Sequence, residues 1–178
     1  MVPRVLALLM ALSLAACGSE DSASAPALTP SPTPQANPTA TATIPASQAY
    51  LACPVTPPNG STPPGEQPNP DHLGNGALWT GLWPDGRVVF QSGGPGQIHQ
   101  DGSLEMKFFW WRGVRGQLEI SGRRLDGAAP PLGADIPTGY GDTGFQATSL
   151  IFATEGCWEV TGRAGGASLT FVTFVQKI

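Results

Sequence analysis

Residues 53–178 predict an all-β domain of antiparallel strands, and three observations lead there. Of 23 glycines, all but Gly18 lie between Gly60 and Gly166, so few windows can sustain a helix of ordinary length. Turn chemistry recurs, as "WPDG" (83–86), "QDGS" (100–103), "LDGA" (125–128) and "AGGA" (164–167). Asp-Gly and Gly-Gly readily supply the left-handed backbone that tight hairpins need. Between the turns lie seven short β-prone runs, roughly 8–15 residues apart, which suit a sandwich or barrel better than any βαβ plan.

"ALWTGLW" (77–83) and "RVVFQ" (87–91) flank the first turn and read as a hairpin. "LEMKFFWW" (104–111) follows, then "RGQLEISGRR" (115–124), where Leu118 and Ile120 alternate with Gln117, Glu119 and Ser121. "FQATSLIF" (145–152), "CWEVTG" (157–162) and "SLTFVTFVQK" (168–177) complete the set. Among all-β plans an immunoglobulin-like sandwich is expected ahead of a small barrel.

A resemblance supports that order. "TEGCWEVTGRAGGASLTFVTFV" (154–175) resembles the final two strands of a bacterial immunoglobulin-like domain, where an acidic residue and a glycine precede an aromatic one at the start of the penultimate strand. The block from Cys53 onward, with "GNGALWT", "WPDG", "DGSLEMKFFWWRGVRG", "GRRLD" and "GYGDTGFQAT", is similar to small extracytoplasmic bacterial lipoproteins. The resemblance implies an address and a fold, and no catalytic residues. One departure from antibody-type domains stands out: Trp158 takes the aromatic corner position and Val160 the place of the core cysteine. Cys157, one residue before Trp158, should point to the opposite face, so no intersheet core disulfide is expected.

The N-terminus carries the address. Arg4 precedes "VLALLMALSLAA", twelve apolar residues ending in small ones; a spanning helix needs about 20. This is the pattern of a signal peptide over residues 1–16. "LAAC" (14–17) resembles the bacterial lipobox, which implies a diacylglyceryl group on the Cys17 thiol and cleavage before it; two or three acyl chains would anchor stably. The competing reading is an ordinary signal peptide with an incidental cysteine. Residues 17–52 are Ala, Ser, Thr and Pro with almost nothing large, and Pro26, Pro30, Pro32, Pro34, Pro38 and Pro45 favour extended polyproline II. Such a segment buries too little to offset its ordering entropy, so a disordered tether is expected, holding the domain off a membrane. Membrane attachment through Cys17 and display on the extracytoplasmic face follow.

Setting aside Arg4, Glu20 and Asp21 leaves eleven acidic and eight basic residues, a net charge of −3. That balance suggests neither nucleic acid nor an anionic lipid surface as partner. Cys53 and Cys157 remain, and in an oxidising compartment their pairing is expected, tying the Pro-rich arm (53–70) to the penultimate strand. The alternative is a pair of reduced thiols with redox or metal chemistry, although no Cys-x-x-Cys is present.

"MKFFWWR" (106–112) is the most informative stretch of the domain. In a regular strand Met106, Phe108 and Trp110 face one way, Phe109 and Trp111 the other, so both faces carry large apolar groups. Either one face is core and the other lies under the Pro-rich arm, or the second face is an aromatic platform beside Arg112 and Arg115 that stacks on sugar rings or a protein partner. The candidate ligand contacts are accordingly Trp110, Trp111, Arg112 and Arg115. "GDTG" (141–144) matches the aspartic-protease tripeptide, but Tyr140-Gly141 and Phe145 flank it where that family has other residue types, and a second aspartate would have to face Asp142. His72 and His99 have no second histidine at metal-ligand spacing and read as solvated loop residues. "SGGPG" (92–96) has no helix behind it for a nucleophile elbow or a phosphate loop, and "GRRLD" (122–126) reads as a solvated strand end. No cofactor or metal is implied. The expected function is non-catalytic binding or envelope organisation, with a cell-wall glycan or an envelope protein as candidate partner. The alternative is an envelope enzyme or enzyme accessory acting on glycans or peptides, and a sensor ectodomain would need a membrane partner.

Overall fold

A computed structural model describes residues 46–178 as ten β-strands, one short α-helix and one 3-10 turn at Pro84–Gly86. The expected signal peptide, the expected lipidation site Cys17 and the expected tether up to residue 45 lie outside the described residues. The architecture is all-β, built as two sheets around a shared core. The first sheet is organised by β5 (Leu104–Arg112), whose side chains alternate between buried and less buried along nine residues. On one side it pairs with β2 (Leu78–Gly81) and, beyond that, β1 (His72–Gly74); on the other it pairs with β8 (Gly144–Phe152) and then β7 (Gly133–Asp135). The two-residue β4 (Gln97–Ile98) adds to β5 as a hairpin through the "QDGS" turn. The second sheet has the order β3 (Arg87–Phe90), β10 (Ala167–Lys177), β9 (Gly156–Ala164), β6 (Glu119–Arg124).

Period-2 alternation explains the core. Leu104, Met106, Phe108 and Trp110 of β5 meet Trp158, Val160 and Ala164 of β9 and Leu169, Phe171 and Val175 of β10 in one cluster, joined by Leu150 and Phe152 of β8. Phe108 and Phe171 approach to 5.4 Å between ring centroids, within the range where aromatic pairs add to area burial. Trp110 lies flat on Gly162: a Cβ there would stand 2.5 Å from its indole. Glycine in the middle of β9 is therefore a packing requirement.

The "WPDG" segment departs from expectation. Asp85 and Gly86 do adopt left-handed backbone (φ 55° and 64°), yet the flanking strands do not form a hairpin. β2 belongs to the first sheet, whereas β3 belongs to the second, where it runs parallel to β10. Trp83 stacks on Phe108 at 4.9 Å and also meets Phe171, and these core contacts carry the chain across the edge. "LDGA" is likewise a crossover, from β6 to β7, while "AGGA" forms the expected hairpin, β9 to β10. The antiparallel expectation thus holds for every described strand pair except β3–β10.

Cys53 and Cys157 are disulfide-bonded, with 5.5 Å between their Cα atoms. Cys157 points away from the Trp158 side of β9, as its position in the strand requires, and builds a second small cluster with Phe174, Val55 and Tyr50 on the outside of the second sheet. Ala46–Ala52, before Cys53, form a helix, α1, where the tether was expected to continue to residue 52. Tyr50 accounts for this, being the one aromatic residue of the segment. Its ring meets Phe174 at 5.6 Å, Arg87 lies 4.7 Å over it, and its hydroxyl donates to the Asp85 carbonyl at 2.9 Å. From Cys53 the arm crosses β10, exchanging bonds between Thr56 and Val172, and reaches the first sheet, where Asn59 bonds Gly74.

Candidate binding site

The outer face of the first sheet, turned away from the core, is aromatic. The register sets Trp111 between Trp79 on β2 and Phe145 on β8, and Phe109 follows two residues before Trp111 on the same face. The Pro-rich arm covers one side of this row. Trp79 is 5% exposed; its indole N–H donates to the Ser61 hydroxyl at 3.1 Å, its ring lies on Gly74, and Pro63 is buried.

Cover ends there. Phe109 and Trp111 are half-buried, Phe145 is 49% exposed and Tyr140 is 39% exposed. Phe109 and Phe145 stack with centroids 5.7 Å apart, and Tyr140 adds on at 6.4 Å. Together with Pro63, Glu66 and His72, the strip borders a shallow recess of about 220 Å³. The two readings of "MKFFWWR" therefore divide the face between them: the arm covers the Trp79 side and leaves the Phe145 side open.

Trp110 is not part of this surface. It is wholly buried against Gly162 and Phe171, because even-numbered β5 residues face the core. Arg112 shares that parity and is 4% exposed, so it too is withdrawn from the open surface expected of it. At the end of β5, however, the two sheets open into a cleft of about 440 Å³ between the loops at 113–118 and 136–143. Arg112 and Arg115 line it, with Tyr140, Asp142 and Gln146. The Arg112 guanidinium donates to the Gly116 carbonyl at 2.6 Å and to the Gly141 carbonyl, joining the two loops. Gln146 donates to the Pro137 carbonyl at 3.1 Å. Arg115 is exposed on the same rim. Tyr140 borders the cleft and also touches Phe145, so cleft and strip are continuous.

The remaining motifs fall elsewhere. Asp142 of "GDTG" is the one carboxylate lining the cleft, and no second aspartate faces it there. His72 begins β1, in place of the expected loop, with its ring edge on Phe109 and a buried Nδ1 that has no partner among the described residues. His99 pairs with Glu105 at 2.9 Å. The arginines of "GRRLD" are ion-paired, Arg123 with Glu159 and Arg124 with Asp126. Among the described residues no three His, Cys, Asp or Glu side chains gather as a metal site, and no helix is long and apolar enough to cross a membrane.

Reading the sequence did not single out Tyr140 and Phe145 as contacts, because "GYGDTGFQ" has the composition of a turn leading into a strand. The available signal was the presence of two aromatic residues within six positions of a Gly-rich loop. Comparisons with family models, with characterised proteins and with solved structures return no match.

Proposed function

We propose that this chain is a lipid-anchored, extracytoplasmic binding protein, which displays an immunoglobulin-like β-sandwich on a tether and engages envelope saccharides by ring stacking. The open strip Phe109–Phe145–Tyr140 is the observation that carries this reading. Flat aromatic faces at mutual distances of about 6 Å are suited to the apolar faces of sugar rings, and a contiguous exposed aromatic patch on a small domain marks an interaction surface. The strand order supports the sandwich: β2-β5-β8-β7 opposite β6-β9-β10 reproduces the A-B-E-D and C-F-G arrangement, with β3 beside β10 as an added edge. The Cys53–Cys157 disulfide suits an oxidising compartment, and the lipobox at Cys17 supplies the anchor. The cleft has a single carboxylate, which favours binding over the envelope-enzyme alternative, because acid–base hydrolysis of glycans ordinarily needs two.

The test is retention of the intact, detergent-solubilised protein on purified cell-wall sacculi. Retention is expected for wild type, with at least a tenfold weakening in Phe145→Ala, about 1.4 kcal/mol, and no change in thermal stability beyond that of an exposed substitution. Equal retention of both proteins would remove the strip from the reading.

A further inference from the structure

The geometry points to a carboxylate-binding subsite in the cleft at the end of β5, so that the ligand of this domain is an acidic saccharide: its carboxylate is held by Arg112 and Arg115 and its ring lies on Tyr140 and Phe145. This rests on the stacking strip described above and names the chemistry of what stacks there. Three observations carry it. Arg112 is almost wholly buried, yet no carboxylate lies within 4 Å of it among the described residues; the ion pairs there belong to other groups. A buried charge without a counter-ion is costly, and the two backbone carbonyls that accept from it carry only partial charge. Its polar surroundings are also incomplete: among the described residues the Arg112 Nε–H, a donor that suits a carboxylate, and the Gln146 Oε1, an acceptor that suits a saccharide hydroxyl, are buried without partners, although such groups are nearly always satisfied.

The cleft beside them, at about 440 Å³, has room for a sugar residue and falls in the size range of small-molecule sites. A planar carboxylate accepts from a guanidinium fork in bidentate fashion, and arginine is the residue suited to it. Arg115 adds a second, exposed cation on the rim. Asp142 opposes them and gives the site a sign that can be tested: it should repel an anion, leaving net attraction only because two cations face it.

The subsite is tested with trigalacturonate and its fully methyl-esterified form, titrated into the intact protein in detergent by calorimetry. The free acid should bind at least tenfold more tightly than the ester. Arg115→Gln should weaken the acid by a fewfold to tenfold and leave the ester unchanged. Asp142→Asn should tighten the acid, again without effect on the ester. Phe145→Ala should weaken acid and ester alike, which keeps the two readings separable. Because Arg112 also joins two loops, it is followed without substitution, through the NMR resonance of its Nε–H, which should shift with the acid. Equal affinity for acid and ester, with both lost in Phe145→Ala, would overturn the carboxylate site and keep the strip. Binding of neither form would overturn the acidic-saccharide assignment, and so would an Asp142→Asn variant that binds the acid more weakly.

Discussion

Gly162 and Trp110 illustrate how much one residue carries when two strands face each other across a core. Adding a Cβ at 162 places it 2.5 Å from the indole of a wholly buried tryptophan, so the ring or the strand must shift. Gly162→Ala is therefore expected to destabilise the domain by about 1–3 kcal/mol, as overpacking does, measured as a lower urea midpoint with unchanged slope. An unchanged midpoint would mean the ring can tilt. Asp101 is the residue where a titration can be followed. The hydroxyl and backbone N–H of Ser103 donate to its carboxylate at 2.7 and 3.0 Å and hold its pKa below the usual carboxylate value. The stabilisation this represents is present above the ordinary carboxylate range and is lost as pH falls through the lowered value. In Ser103→Ala the side-chain donor is gone, so Asp101 should titrate at higher pH in a carbon-detected NMR experiment; an unmoved midpoint would leave the backbone N–H as the sole cause.

Among the elements, α1 is the one that cannot stand by itself. Seven residues are too few for an isolated helix in water. Tyr50 and the Cys53–Cys157 bond hold it against the second sheet. The bond closes a segment with a sequence separation of 104, for which chain entropy gives about 4–5 kcal/mol. Reduction is expected to lower the thermal midpoint, and hydrogen exchange should show α1 and the first arm residues losing protection before β5, β8 and β9. Simultaneous loss everywhere would mean that the arm and the sheets form a single cooperative unit. The crossover at "WPDG" belongs to this scale too. Its local backbone is what Asp-Gly prefers, yet the strands it joins lie in different sheets, because Trp83 finds its partners Phe108 and Phe171 in the core.

Over the whole molecule, legibility followed the range of the interaction. All-β character, the β9–β10 hairpin, the opposed faces of β5 and the outward aim of Cys157 come from alternation, glycine content and turn chemistry, which act within a few residues. These were open to reading from sequence, as was a covering role for the Pro-rich arm, which Ser61 fulfils at Trp79. What an individual side chain on β5 does was not. Trp110 and Trp111 are neighbours of the same type, and only the placement of β9 behind one and of the arm and β8 beside the other makes the first core and the second half-exposed. Arg112 and Arg115 share a cleft because the 136–143 loop, distant in sequence, folds over the end of β5 and brings Tyr140 and Asp142 with it. The sequence by itself determined the all-β class and that successive residues of a strand take opposite faces. The tertiary structure decided which sheet each strand joined, where the arm stopped covering the aromatic row, and which charges met in one cleft, since these depend on packing between segments far apart in the chain, which local pattern does not encode.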